Sequence, residues 1–318
     1  MITVLGSMNI DEFFDVSHFV RPSETLAASA VTRMAGGKGL NQAIAAARAG
    51  ADTAMAGMIG EDGTFLRDLL EQNGADCHLV ETRTDTLTGR AVIQRTPDSE
   101  NAILLSAGAN HKIDEQYIRS VLSEMNPEDL LLIQNEISDL KFVLDCAREF
   151  GLPVIFNPAP MTEEAAAADL RAVQVLIVNQ MEAMQLCGFD LPDKTEPEEM
   201  LIQLRTKGPQ ALIVLTLGSE GAICCEPGKE FYWEQRPYPV CPADSTGAGD
   251  TFTGYLSACL ARKMPVPEAL ELASAAAALS VTRKGAAASI PLRSEAEALM
   301  QADPEIRCEK RMFARKKK

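Results

Sequence analysis

Asp244-Ser-Thr-Gly-Ala-Gly-Asp-Thr-Phe-Thr-Gly254 is a glycine-rich loop that runs straight into an apolar helical stretch, Tyr255-Leu-Ser-Ala-Cys-Leu-Ala261. The helix is expected to start near Gly249. Gly247, Ala248 and Gly249 carry little or no side chain, so their N–H groups can converge on one point. The first helical turn adds unpaired donors and partial positive charge there. That combination is an anion site, best suited to phosphate. Asp250 stands inside it. A carboxylate beside a bound phosphate repels it, unless its task is to take a proton from the group that attacks phosphorus. The stretch therefore reads as phosphoryl transfer with Asp250 as general base. The bland alternative is an acidic residue placed in a first turn for dipole reasons alone. A Walker loop is excluded because Gly-x-x-x-x-Gly-Lys-Ser/Thr is absent here, and the dinucleotide fingerprint because Phe252 stands where its third glycine belongs.

Upstream of this loop, apolar strands alternate with helices. Leu130–Ile133, Pro153–Phe156, Val175–Val178 and Ala211–Leu215 are continuous apolar runs, separated by helical segments such as Leu140–Phe150. Strands of that kind belong to a parallel sheet covered on both faces. Ile2–Leu5 and Thr53–Ile59 extend the series, and Phe65–Gln72 reads as a helix. Polar residues recur just after strands: Asn9 and Asp11, Glu136, Asn179 and Glu182, Thr216. Open α/β sheets place ligands at that edge. Each residue alone has an ordinary explanation as a turn or cap; the recurrence points to one cleft. Gly36-Gly-Lys-Gly-Leu-Asn41 opens an Ala-rich helix closed by Gly50. Asp11–Val20, with a hairpin over about 87–106 turning at Thr96–Asn101, is expected to form a small separate sheet.

The chain of 318 residues, 46% apolar and 24% charged, suits one large α/β domain, here expected over 1–302. A net charge of −15 argues against general nucleic-acid binding. The exception is Arg307–Lys318, rich in Lys and Arg, expected as a solvated, disordered tail within 303–318. Eight cysteines without a Cys-x-x-Cys pair read as reduced thiols of a cytoplasmic protein, with no zinc site. No apolar run approaches the ~20 residues of a membrane span, and no membrane partner is expected.

Gly36-Gly37-Lys38-Gly39-x-Asn41 and Asp244-x-Thr246-Gly247-Ala248-Gly249-Asp250-Thr251-Phe252-x-Gly254 resemble the two signatures of the ribokinase-like (PfkB) sugar kinases. Gly6–Asp11, Ala107–Asn110, Asn157–Pro160 and Val281–Ala286 resemble its ribose-phosphorylating branch, and the similarity spans about residues 2–292. The resemblance implies a three-layer α/β/α sandwich with a mostly parallel sheet and a small β-sheet lid that clasps a homodimer. It implies ATP-dependent phosphorylation of the 5-hydroxymethyl group of D-ribose, or of 2-deoxyribose, another sugar or a nucleoside. The non-enzymatic alternative is a catalytically silent sugar-binding regulator, which should have lost the base or the anion loop; both are present.

By position, the resemblance implies that Asn9, Asp11, Gly37, Lys38, Asn41 and Glu136 hold the sugar. Asp250 would be the base, and Gly247, Ala248 and Gly249 the anion hole. It assigns ATP to Asn179, Thr216, Gly218, Ser219, Gly221, Gly249 and Ser274, and Mg²⁺ to Glu182 through water. Asp244, Thr246, Ser280, Arg283, Gly285 and Ser289 would form a monovalent-cation site, with K⁺ as activator. Leu40 is bulkier than the usual small residue of the sugar loop, and Met8 and Ile10 also vary, departures that would trim the pocket for another pentose, a deoxypentose or a nucleoside.

Overall fold

The computed structural model describes residues 1–98, 100–189 and 195–314. Ten of its strands form the main sheet: β1 (Ile2–Leu5), β4 (Thr53–Gly60), β5 (Asp76–Arg83), β8 (Leu130–Ile133), β9 (Val154–Phe156), β10 (Val173–Asn179), β11 (Leu212–Thr216), β12 (Ala222–Cys225), β13 (Phe231–Gln235) and β14 (Cys308–Met312). The other four, β2 (Asn9–Asp15), β3 (Ala30–Gly36), β6 (Gly89–Arg95) and β7 (Asn101–Ser106), form a second sheet in the order β3-β2-β6-β7. The helices are α1 (Lys38–Arg48), α2 (Thr64–Gln72), α3 (Glu115–Glu124), α4 (Leu140–Phe150), α5 (Glu163–Ala166), α6 (Gln180–Cys187), α7 (Pro197–Lys207), α8 (Ala248–Ala261), α9 (Val266–Ser280) and α10 (Arg293–Ala302).

The main sheet runs β14-β13-β12-β11-β10-β9-β8-β1-β4-β5, parallel from β11 to β5 and antiparallel from β11 to β14. Successive side chains face opposite helical layers, which explains why the inner strands such as β1, β8, β9 and β11 are apolar on both faces. Leu132, Ile155, Ile177 and Val214 point to one core with α1, α8 and α9. Leu131, Ile133, Phe156, Val178 and Leu215 point to the other with α3, α4, α6 and α7. The three-layer α/β/α architecture is thus present. Strand β1 lies between β4 and β8, so the chain leaves it in both directions; this is the switch point where a crevice opens at the strands' carboxyl ends.

The small sheet differs in detail from expectation. Val16–Val20 is not strand; β3 (Ala30–Gly36) completes the sheet instead, pairing antiparallel with β2, while β6 pairs parallel with it. Largely exposed, Val31-Thr-Arg-Met lacks a strong apolar signature, so β3 forms through its register with β2. The hairpin is β6–β7; Ser99 in its turn lies outside the described residues.

The tail needs a larger correction. Cys308–Met312 is an edge strand of the main sheet, paired with β13, and Glu271 on α9 accepts from Arg307 (3.0 Å) and the Cys308 N–H (2.8 Å). Residues 315–318 lie outside the described residues. No described helix is long and apolar enough to cross a membrane.

Candidate active site

Two small-residue helices create the site. Gly254 on α8 lies against α1, where a Cβ would come within 2.5 Å of the Gln42 carbonyl oxygen and of the Ala45 Cβ. One turn earlier on the same face of α8 stands Asp250. Close packing therefore delivers the start of α1 to the Asp250 carboxylate. Asn41 Nδ2 donates to Oδ2 (2.9 Å) and Gln42 Nε2 donates to Oδ1 (2.9 Å). Asp250 is 8% exposed, lines the cleft, and is held by amides instead of an arginine or lysine.

Helix α8 starts at Ala248, one residue earlier than expected, with Gly247 left-handed (φ 76°) ahead of it and no side chain capping its first turn. Gly247 and Gly249 line the cleft; the Ala248 N–H is turned toward the Ser245 carbonyl (3.3 Å). The Gly249 and Asp250 N–H groups of the first turn stay available to an anion.

On one side of Asp250 lies the sugar set of the sequence reading. Gly37 takes φ 92°, and a Cβ there would press within 2.8 Å of the Asn9 nitrogen and the Ser7 carbonyl. That turn folds α1 back over the end of β1. Glu136 Oε2 accepts from the Ser7 hydroxyl and the Lys38 N–H (3.1 Å). Asn9 Oδ1 accepts from Asn110 Nδ2 (2.7 Å), and Asn110 Oδ1 accepts from the Met8 N–H (3.0 Å).

Asp11 fits against Gly36, where any side chain would collide with its carboxyl. Burial, with Glu136 and Asp250 as negative neighbours, raises the Asp11 pKa to about 7. Lys38 is pushed up from its ordinary value, chiefly by Asp250 and against its own burial, with Glu136 and Glu182 adding to the effect. The buried Asn41 Oδ1 has no partner among the described residues, an acceptor left for a ligand hydroxyl.

On the other side, Asn179, Glu182 and Thr216 line the same cleft, a cavity of about 140 Å³. Asn179 and Glu182 form a capping box on α6: Asn179 Oδ1 accepts from the Glu182 N–H (2.8 Å), and Glu182 Oε2 from the Asn179 N–H (2.9 Å). Burial raises the Glu182 pKa, opposed by the Asn179 hydrogen bonds and by Lys38. Gly218 and Ser219 sit exposed in a 3₁₀ turn after β11, closed by Gly221 (φ 96°). Ser274 is buried in mid-α9 and is not among the residues lining this cavity.

The residues matched to a monovalent-cation site lie in the loop before α8, at the end of α9 (Ser280) and in the loop that follows α9. Asp244 accepts from the Thr246 and Gly285 N–H groups (both 2.9 Å) and so ties the two loops together. Ser280 and Ser289 give their hydroxyls to the Ala277 and Ala286 carbonyls, and Arg283 pairs with Glu295 (2.6 Å). Any cation there would rest on main-chain carbonyls and Asp244, not on the Arg283 side chain.

Sequence reasoning missed Gln42, Gln134 and Asn157, and gave no role to Ser7 or Asn110. Ser7, Asn110 and Asn157 lie in stretches that carried the resemblance, whereas Gln42 stands out only as a polar residue after Asn41 in an otherwise Ala-rich apolar helix. Residues 1–293 match the model of the pfkB family carbohydrate kinases. The chain is 35% identical to the ribokinase of Haemophilus influenzae over 301 residues, 92% of this chain and 96% of that one. It is 29% identical to the deoxyribokinase of Salmonella typhi, over 91% and 95% of the two chains. The structure of Arabidopsis thaliana ribokinase complexed with ribose and ATP superposes with a TM-score of 0.81 at 28% identity, covering 94% of this chain and 98% of that one.

Proposed function

This chain belongs to the pfkB family of carbohydrate kinases, and from that premise we propose that it is a ribokinase, moving the γ-phosphoryl group of ATP to the 5-hydroxyl of D-ribose. One observation carries the reading: Asp250 stands at the unblocked start of α8, clamped by α1, between the hydroxyl-binding set and the cleft of Asn179 and Thr216. Asp250 takes the proton of the attacking hydroxyl. The sugar oxygen then bonds to the γ-phosphorus, the bond to the bridging oxygen breaks, and ADP leaves. The amides of Gly247 and Gly249 and the positive end of α8 bear the charge on the phosphoryl oxygens, with Lys38 alongside; the Ala248 N–H, turned to Ser245, takes no part.

Asn9, Asp11, Gly37, Lys38, Asn41 and Glu136 hold the sugar. Carboxylates and amides fixed in place suit a polyol, whose hydroxyls each both give and take a hydrogen bond. Asn179, Thr216, Gly218, Ser219 and Gly221 form the nucleotide side, with Ser274, buried in mid-α9, assigned to it by the resemblance alone. Glu182 fits Mg²⁺ through water, since one carboxyl oxygen is held by its own capping box; when bound, the ion offsets phosphate charge. K⁺ fits the carbonyl-rich loops that Asp244 joins.

Ile103 and Leu105, neighbours on one face of the small sheet, are exposed, and a second copy of the chain packed on that face would cover them. The eight cysteines are free thiols, in keeping with a cytoplasmic enzyme.

The second reading is a deoxypentose or nucleoside acceptor, its deoxypentose form favoured by the deoxyribokinase relative; Leu40 is fully buried in the core and does not bear on it. Purified protein with ATP and Mg²⁺, tested on ribose, 2-deoxyribose, hexoses and nucleosides with and without K⁺, separates them. Ribose should give the highest kcat/KM. Exclusive turnover of another acceptor would replace the first reading with the second.

A further inference from the structure

Gln42 carries more hydrogen-bond specification than any other side chain near the reacting groups, and none of the roles above uses it. It is fully buried. Its Nε2 donates to Asp250 Oδ1 (2.9 Å) and to Asn157 Oδ1 (3.0 Å), one hydrogen for each. Its Oε1 accepts from Gln134 Nε2 (2.7 Å). Asn157 is fixed in turn, because its Nδ2 donates to the Ile177 carbonyl (3.0 Å).

Reversing the Gln42 amide would set its oxygen against two acceptor oxygens and its nitrogen against a donor. Only one orientation satisfies all three neighbours. Gln134 is confined as well: at Gly6 a Cβ would stand 2.2 Å from its Oε1. Polar residues at the ends of β8 and β9, with Gly6 after β1 confining one of them, thereby set the angle of a carboxylate on α8.

We infer that Gln42 is a positioning residue for phosphoryl transfer, fixing the plane of the Asp250 carboxylate so that one lone pair faces the substrate hydroxyl. The inference rests on the reading of Asp250 as the base. Asn41 restrains only Oδ2; with Oδ1 released, the carboxylate can rotate about its Cβ–Cγ bond. Misplacement of a reacting group by about 1 Å can cost on the order of 100-fold in rate. Gln42 reaches the lining of the cleft only through Asp250 and Asn157, and Asn157 keeps its own bond to the Ile177 carbonyl, so the loss should fall on turnover more than on binding.

The experiment uses the full chain with D-ribose, ATP and Mg²⁺. Gln42→Met keeps length and removes the donor; its kcat should fall about 10- to 100-fold with both KM values within about twofold of the parent. Gln134→Met leaves the Gln42–Asp250 bond in place and serves as the packing control. It should cost less than about fivefold in kcat at a comparable loss of Tm. Should Gln42→Met fail to fold, the isosteric Gln42→Glu replaces it, with kcat expected to fall at least as far. The inference is overturned by a kcat within twofold of the parent, by a loss that appears in KM alone, or by equal losses in Gln134→Met and the Gln42 variant. Asp250→Asn is measured beside them. If it turns over at the parental rate, the base assignment is wrong; if it is inactive while the Gln42 variant runs normally, only the positioning role falls.

Discussion

The two sides of Asp250 are built differently. On the side proposed for the sugar, polar side chains are already locked by other side chains, Glu136 by Ser7 and Asn9 by Asn110, just as Asp250 itself is by Asn41 and Gln42. On the nucleotide side, Gly218 and Ser219 lie exposed in a tight turn, and Asn179 and Glu182 satisfy each other in a helix cap. The difference follows from what each ligand offers. A sugar is distinguished by the directions of its hydroxyls, which calls for donors and acceptors at fixed points. A polyphosphate offers charge, which main-chain amides and helix ends meet without side-chain precision.

The severest test of that contrast removes the group between the two sides. Asp250→Asn preserves shape but cannot accept a proton; kcat should fall by roughly 10²–10⁴-fold while calorimetry still detects ATP binding. Retained turnover would dissolve the contrast, since the junction would then have no chemistry.

A sharper probe is Ser7→Ala, which frees Glu136 without touching a ligand group. Loss of a hydrogen bond to a charged group, about 1.5 kcal/mol or more, should raise the sugar KM about tenfold and leave the ATP KM unchanged. A parallel rise in both would show that the sides are not independently built.

The pH dependence should also be one-sided. Asp11 has a pKa raised to about 7, so it takes up its proton as pH falls through that value and loses an acceptor for sugar hydroxyls. The sugar KM should rise below about pH 7, and in Asp11→Asn that inflection should vanish. For stability the sign is opposite to the usual carboxylate. The folded chain keeps a proton that the unfolded chain releases above its ordinary value near 3.8, so the ligand-free protein loses stability from there up to about pH 7. Thermal melts of the parent should decline across that window more than those of Asp11→Asn.

The smallest effect is expected at Ser219→Ala, where an exposed hydroxyl adds little to main-chain recognition: an ATP KM change below about threefold. A tenfold change would mean that the nucleotide side relies on side chains after all.

Much of this was legible in the one-dimensional pattern. Apolar runs of four or five residues revealed the parallel strands, and polar residues after them revealed the cleft edge. The glycine-rich stretch at Asp244–Gly254 marked the helix start that carries Asp250. Strands β3, β13 and β14 were not legible, because their residues are half-exposed or charged and become strands by pairing. In β14, Arg311 reaches Glu234 (2.5 Å) and Lys310 sits over the Phe231 ring (3.8 Å). Read alone, Cys-Glu-Lys-Arg-Met is a solvated charge run; beside β13 it is an edge strand.

The chain by itself determined the α/β class, the anion-binding loop and the residue types available for sugar and phosphate, since these depend on local period, backbone freedom and side-chain chemistry. Only the tertiary structure decided which groups meet. Gly254 admits α1 close enough for Asn41 and Gln42 to grip a carboxylate more than 200 positions away, and hydrogen bonds act over about 3 Å of space whatever the distance along the chain.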